Sequence, residues 1–211
     1  CNLTSIILFN LKLLNNNETD LIFCIGPAGT GKTLLACDYA ITSLKKDKIN
    51  KIIITRPIIS IEEDLGYLPG NINEKMYPWT LPIFDIFYEY YSKKEITNFV
   101  LENTIEIAPL GFMQGRTFKN SIIIADEMQN STPLQMFMLL TRIGTNSKMI
   151  ITGDLKQTKN KINGLSDIIN KLENEIVQKK NIDKNIGLIK FNNNDIQRHK
   201  IVEKIINLYN F

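Results

Sequence analysis

Histidine and tryptophan each occur once in this 211-residue chain, and the three cysteines, Cys1, Cys24 and Cys37, form no C-x-x-C pair. A zinc site or a disulfide framework needs paired ligands at short spacings. Their scarcity argues against both classes and points to a reducing compartment, with Cys24 read as a small core residue. Long apolar runs are also missing: polar or charged residues interrupt every stretch well before the ~20 residues needed to span a bilayer, so no membrane association is expected. Cys1–Leu14 has neither the basic start nor the small-residue cleavage site of a secretory leader. The chain opens without methionine and is expected to be part of a longer product. Charge of one sign is scarce as well. Against 22 acidic residues stand 25 basic ones, a formal +3, and Asn, Ile, Asp and Glu break up the lysine-rich stretches. That balance is compatible with nucleic acid but reads first as a solvated surface.

What is present is a core. With 44% hydrophobic residues, the chain is long enough for one well-buried domain. Short apolar runs at Leu21–Ile25, Lys51–Thr55, Thr104–Ala108, Ser121–Ala125, Lys148–Thr152 and Ile186–Phe191 read as strands. Helical patterns lie between or after them at Lys32–Leu44, Leu134–Arg142, Leu165–Ile176 and Asp195–Tyr209. Glu74–Tyr91, interrupted by Pro78 and Pro82, reads as one or two helices with a broken start. Continuous apolar strands alternating with helices specify an α/β fold, a mainly parallel sheet with helices on both faces. The aromatic group Tyr77, Trp79, Phe84, Phe87, Tyr88, Tyr90 and Tyr91 reads as core or subunit contact in preference to base stacking.

Chemistry concentrates at Gly26-Pro27-Ala28-Gly29-Thr30-Gly31-Lys32-Thr33, which fits G-x-x-x-x-G-K-[ST] between a strand and a helix. Glycines let backbone N–H groups turn toward phosphate oxygens, and the helix start adds free N–H groups and its positive dipole end. Lys32 then neutralises the β- and γ-phosphates, and the Thr33 hydroxyl holds Mg2+. The second anchor of such a site, a Walker B element, is supplied by Ile122–Ala125 followed by Asp126 and Glu127. Asp126 is assigned to the metal and Glu127 to the attacking water. At the end of the next strand, Thr152-Gly153-Asp154 is followed by Gln157, which has two readings: a γ-phosphate sensor, or one residue of a capped turn leading into a loop. His199 has no neighbour of metal-site or nucleophile type and reads as a surface or packing residue.

Taken in order, Gly26–Thr33, Thr55-Arg56-Pro57, Leu65–Gly70, Ala108-Pro109-Leu110, Gly115-Arg116-Thr117, Asp126–Asn130, Thr141–Gly144, Thr152-Gly153-Asp154 and Arg198-His199 resemble the motifs of PhoH-like proteins from about Leu21 to the C-terminus. The resemblance implies a RecA-like P-loop ATPase core similar to the first motor domain of superfamily-1 helicases. That core would occupy residues 21–211, after an N-terminal extension of residues 1–20. It further implies ATP and Mg2+ as ligands, cytoplasmic location, homo-oligomeric rings such as hexamers, and a role in RNA metabolism with single-stranded RNA as a partner. Arg56 matches a helicase-type strand-contacting position, with bracing of Glu62, Glu63 or Asp64 as the equal alternative. Arg198 is the preferred finger arginine and Arg116 a candidate acting in trans; each reads equally as a structural ion pair. Arg142 reads as structural or interfacial.

Three departures matter. Residues 1–20 contain no glutamine to read adenine, and no Asn-Lys-x-Asp element reads guanine. The loop 158–164 lacks the family's proline-rich pattern. No second motor domain, RNA-binding module or nuclease domain is read within these 211 residues, so any motor action is expected between subunits. Two functions are carried forward: an ATPase, and a nucleotide-gated RNA-binding or assembly module with little turnover.

Overall fold

The computed structural model describes residues 13–57, 72–157, 163–179, 183–197 and 201, with the side chains of 72–77 excepted. Six strands form one sheet: β1 (Leu21–Ile25), β2 (Lys51–Thr55), β3 (Ile105–Ile107), β4 (Ser121–Ala125), β5 (Lys148–Gly153) and β6 (Ile186–Lys190). Every pairing is parallel, in the order β3-β2-β4-β5-β1-β6. Among the described residues the helices that cover it are α1 (Lys32–Lys45), α2 (Ile72–Phe87), α3 (Lys93–Leu101), α4 (Pro133–Leu140) and α5 (Gly164–Lys179).

Because strand side chains alternate, each isoleucine-rich run feeds two cores. Ile22, Cys24, Ile52, Ile54, Ile122, Ile124 and Ile150 pack with Ala36, Cys37, Ala40 and Ile41 of α1, with Ile83, Phe84 and Phe87 of α2, and with Ile96 of α3. Phe23, Ile25, Ile53, Ile123, Ala125, Met149 and Ile151 pack with Met136 and Leu139 of α4 and with Leu165, Ile169 and Leu172 of α5. This is the expected parallel sheet with helices on both faces. Burial pushes the Cys24 thiol up to about 12 and raises Cys37 as well, as expected of inert core thiols.

Two features differ from the sequence reading. First, α2 is continuous through Pro78 and Pro82. The two prolines, four residues apart, share the exposed face, while Thr80, Ile83, Phe84 and Phe87 are buried opposite them. Each proline costs a helix interior about 3 kcal/mol, and burying a large apolar side chain returns about 1.5–3 kcal/mol, so the buried face is enough to hold the helix. Second, α3 was not anticipated, although its start is written in Ser92-Lys93-Lys94-Glu95. The Ser92 hydroxyl accepts from the Glu95 N–H at 3.3 Å, and the Ser92 N–H donates to Glu95 Oε2 at 2.8 Å, a capping box.

Phe84 and Phe87 meet edge to face at 6.3 Å and Tyr91 meets Phe99 at 5.1 Å, so this part of the aromatic group is core. Of the helix expected over Asp195–Tyr209, the described residues show a 3-10 turn at Asn193–Asp195 and a helical Ile201. Arg198 and His199 lie outside the described residues. No helix among the described residues is long and apolar enough to cross a membrane.

Candidate nucleotide site

The carboxyl ends of parallel strands are where an open α/β sheet receives ligands, and here the ends of β1, β4 and β5 converge. Gly26–Thr33 leaves β1 and enters α1. Its first glycine sits at φ 149°, and a Cβ there would lie 2.6 Å from the Phe191 carbonyl oxygen. The Gly26 N–H donates to the Gly153 carbonyl at 3.1 Å, so the loop starts clamped between β5 and β6. Gly26→Ala is expected to cost on the order of 3 kcal/mol, through overlap and backbone strain together. Gly111 has ordinary φ and open space around it, so Gly111→Ala should be near neutral; urea midpoints of the two variants measure the difference.

Gly29 and Gly31 are left-handed, at φ 82° and 79°, a conformation that side chains resist. The Thr30 hydroxyl donates to the Pro27 carbonyl at 2.9 Å and closes the loop on itself. Lys32 Nζ donates to the carbonyls of Gly26 and Pro27, both at 2.7 Å. Burial lowers its pKa, opposed by the charges of Asp154, Glu127 and Asp126. At Gly31 no side chain caps α1, and its first turn carries no acid. Its leading N–H groups are therefore available to an anion.

Asp126 is the junction of the site. Buried at the end of β4, it accepts the Thr33 hydroxyl at 2.9 Å and the Thr152 hydroxyl on the same Oδ1. The β4–β5 register, with Ala125 beside Ile151, makes Thr152 its natural neighbour. Glu127 follows at φ 55°, a left-handed position uncommon for a non-glycine residue. Its Oε2 accepts from Gln129 Nε2, and Gln129 Oε1 accepts the Asp154 N–H at 3.1 Å. Gln157 belongs to a turn, since its N–H donates to the Asp154 carbonyl at 3.2 Å, and that turn also puts Gln157 on the cavity wall.

The resulting cavity, of about 250 Å³, is lined by Lys32, Thr33, Asp126, Glu127, Asp154 and Gln157 together with the loop backbone. Among the described residues three carboxylates thus face one ammonium, a balance that would repel a polyphosphate unless a divalent cation came with it. Thr33 and Asp126 present hard oxygens side by side. That set suits magnesium, which keeps waters and phosphate oxygens instead of an all-protein cage. No cluster of three His, Cys, Asp or Glu side chains suited to a metal occurs among the described residues. A second groove of about 500 Å³ lies beyond Gly26–Pro27, between Leu155–Lys156 and Phe191–Asn194, with Asp154 as the shared wall.

No arginine is among the described residues lining either space. Arg116 binds Glu106 through Nη1 at 2.5 Å and Nη2 at 3.0 Å, stands over the Phe118 ring at 4.6 Å, and shares Glu106 with Lys51 at 2.8 Å. The Arg116 guanidinium holds the Glu106 carboxyl below its usual range. This cluster is on β3, four inter-strand spacings of about 4.8 Å from β1. Arg142 donates to the carbonyls of Met138 at 3.0 Å and Arg116 at 3.1 Å, closing the end of α4. Arg56 follows β2 with no ion-pair partner among the described residues, and the acids Glu62, Glu63 and Asp64 lie outside them. Sequence reasoning gave no role to Gln129 or Thr152. The signal for Thr152 was a lone hydroxyl closing an apolar strand; for Gln129 it was a carboxamide two residues past the paired acids.

A family model described as PhoH-like protein matches residues 9–210. The chain is 44% identical over 195 residues to a PhoH-like protein of Bacillus subtilis, covering 91% of this chain and 59% of that one. It is 40% identical over 193 residues to a PhoH-like protein of Synechocystis, covering 90% and 56%, and 35% identical over 210 residues to protein PhoH of Escherichia coli, covering 94% and 55%. It thus spans little more than half the length of these curated relatives. Among solved structures, the Sulfolobus solfataricus SWI2/SNF2 ATPase core in complex with dsDNA is similar at TM-score 0.50 and 13% identity, covering 93% of this chain and 47% of that one. At that identity the likeness concerns the fold. A fold similar to that ATPase core, a phosphate loop facing paired acids and a family match across nearly the whole sequence lead to one assignment: the chain belongs to the PhoH-like family.

Proposed function

We propose that the chain is a magnesium-dependent ATPase of the cytoplasm, acting in RNA metabolism. The observation that carries the reading is the single cavity joining Lys32, Thr33, Asp126 and Glu127. Residues 21–211 form the catalytic core in this reading. Residues 1–20 precede it, although Leu14 already packs into the sheet's core. ATP is preferred to GTP on family likeness and on the missing guanine-reading element.

Thr33 and Asp126 would hold magnesium, which when bound neutralises phosphate charge. Lys32 exchanges the carbonyls of Gly26 and Pro27 for the β- and γ-phosphates, while the loop and the uncapped start of α1 hold the remaining oxygens. Glu127 orients a water for in-line attack and takes one of its protons. The water oxygen bonds to the γ-phosphorus as the bond to the β–γ bridging oxygen breaks, and ADP departs with that oxygen. Gln157 on the cavity wall reports the γ-phosphate. The finger arginine is Arg198, or Arg116 of another copy once it releases Glu106. A homo-oligomeric ring, such as a hexamer, provides the second arrangement. Exposure of Leu134, Phe137 and the nearby Phe112 supports such self-association.

A second reading is that, with no arginine among the described cavity-lining residues, the chain is a nucleotide-gated RNA-binding or assembly module whose turnover is slow until an arginine arrives. Arg56, at the carboxyl end of β2, is the proposed strand contact in both readings. Phosphate release measured with and without mixed-sequence single-stranded RNA, for wild type and Arg56→Ala, tests them. Stimulation by RNA that Arg56→Ala weakens supports the RNA-coupled ATPase. Turnover unmoved by RNA, with no salt-sensitive RNA binding in any nucleotide state, removes RNA from the account.

A further inference from the structure

Glu127 does not choose its own position. Its backbone is left-handed and its neighbour Asp126 is fixed by two hydroxyls, while among the described residues the carboxylate itself is held by one side chain, Gln129. That carboxamide is 2% exposed and used at both ends: Nε2 donates to Glu127 Oε2, and Oε1 accepts the Asp154 N–H at 3.1 Å. A buried carboxamide bonded both ways has one low-energy orientation, because flipping it would set donor against donor and acceptor against acceptor. The pocket that holds it depends on Gly153. A Cβ at Gly153 would lie 2.7 Å from Gln129 Oε1 and 2.5 Å from Leu165 Cδ2, so a side chain there would displace the Gln129 carboxamide and Leu165.

We infer that Gln129 is the positioning residue of the hydrolytic site, transmitting the position of the β5 exit to the Glu127 carboxylate. The inference rests on the proposed role of Glu127 at the attacking water. Asp154 belongs to the same turn as Gln157 and walls both the phosphate cavity and the neighbouring groove. A shift of that turn therefore reaches Glu127 through one carboxamide, whichever ligand moves it.

The test compares ATP turnover and nucleotide affinity in wild type, Gln129→Ala, Gln129→Glu, Gly153→Ala and Glu127→Gln. Gln129→Ala should lower kcat about 100-fold, the scale of a misplaced reacting group, with nucleotide Kd within about threefold, since Gln129 is not among the residues lining the phosphate cavity. Gly153→Ala, acting on Gln129 from the opposite side, should lower kcat in the same sense.

Gln129→Glu supplies a readout that a packing role would not move. The introduced carboxyl faces Glu127, and the other charges around the pair are Lys32 from the loop, Asp126 from β4 and Asp154 from β5. The introduced side chain is nearly isosteric with the native one, so packing is kept, but a carboxylate cannot donate to Glu127 as the carboxamide does and its charge repels that side chain. The kcat of Gln129→Glu should therefore fall about as far as that of Gln129→Ala.

Wild-type kcat in folded Gln129→Ala overturns the inference. Should that variant fail to fold, Gln129→Glu decides, and wild-type kcat in it overturns the inference. Turnover retained in Glu127→Gln overturns both this inference and the role of Glu127. Turnover lost in Glu127→Gln but unchanged in Gln129→Ala overturns the inference alone.

Discussion

Replacing Lys32 with alanine should weaken ATP binding by on the order of 100-fold, about 3 kcal/mol, the scale of losing charge-assisted hydrogen bonds to phosphate. The expectation comes from the charge around the cavity. Among the described residues that line it, Lys32 is the sole cation, against Asp126, Glu127 and Asp154. Without it the charged groups among those residues are all acidic, and an incoming triphosphate meets repulsion where it met its counter-charge. The fold should survive. Lys32 bonds two carbonyls of a surface loop, and Gly26 remains clamped through its own N–H to Gly153. Titration of a fluorescent ATP analogue measures the loss, and a melting temperature close to wild type shows that it is local.

Glu127→Gln should separate binding from chemistry. The substitution keeps the size of the side chain and leaves an oxygen to accept from Gln129, so the surrounding geometry is retained. It also removes one negative charge from the cavity, so ATP should bind as tightly as to wild type or more tightly. The variant can no longer take a proton from water. A positioned base contributes about 10²–10⁴-fold to such a step, and kcat should fall by that factor. Single-turnover phosphate release alongside nucleotide titration reads the two effects independently. Wild-type turnover in this variant would remove Glu127 from the mechanism.

The sheet was largely legible in the sequence because its strands are buried on both faces, which leaves continuous apolar runs such as Lys51–Thr55 and Ser121–Ala125 and places boundaries within a residue or two. The phosphate loop was legible because its chemistry needs glycine, lysine and threonine at fixed spacing. Connections between distant segments were not. Nothing local in Thr152 says that β5 lies beside β4, and Gln129 acquires its role only when Asp154 arrives from 25 residues away. The segment of α2 reads from sequence as one or two helices with a broken start, because a proline penalty is visible locally, while the buried face that outweighs it and keeps the helix whole is tertiary. The α3 helix was readable from Ser92 and Glu95 and went unread because its flanks lack strong apolar periodicity. Arg116 was left open between finger and ion pair. In this chain it lies at the β3 edge bonded to Glu106, so a catalytic part for it would require a second copy.

The most direct measurement is phosphate release from ATP by the purified protein, with magnesium and with chelator, beside Lys32→Ala. Turnover that requires magnesium and disappears in the variant is the predicted result. Release that persists without magnesium, or that Lys32→Ala leaves unchanged, would contradict the assignment of this cavity as the site of hydrolysis.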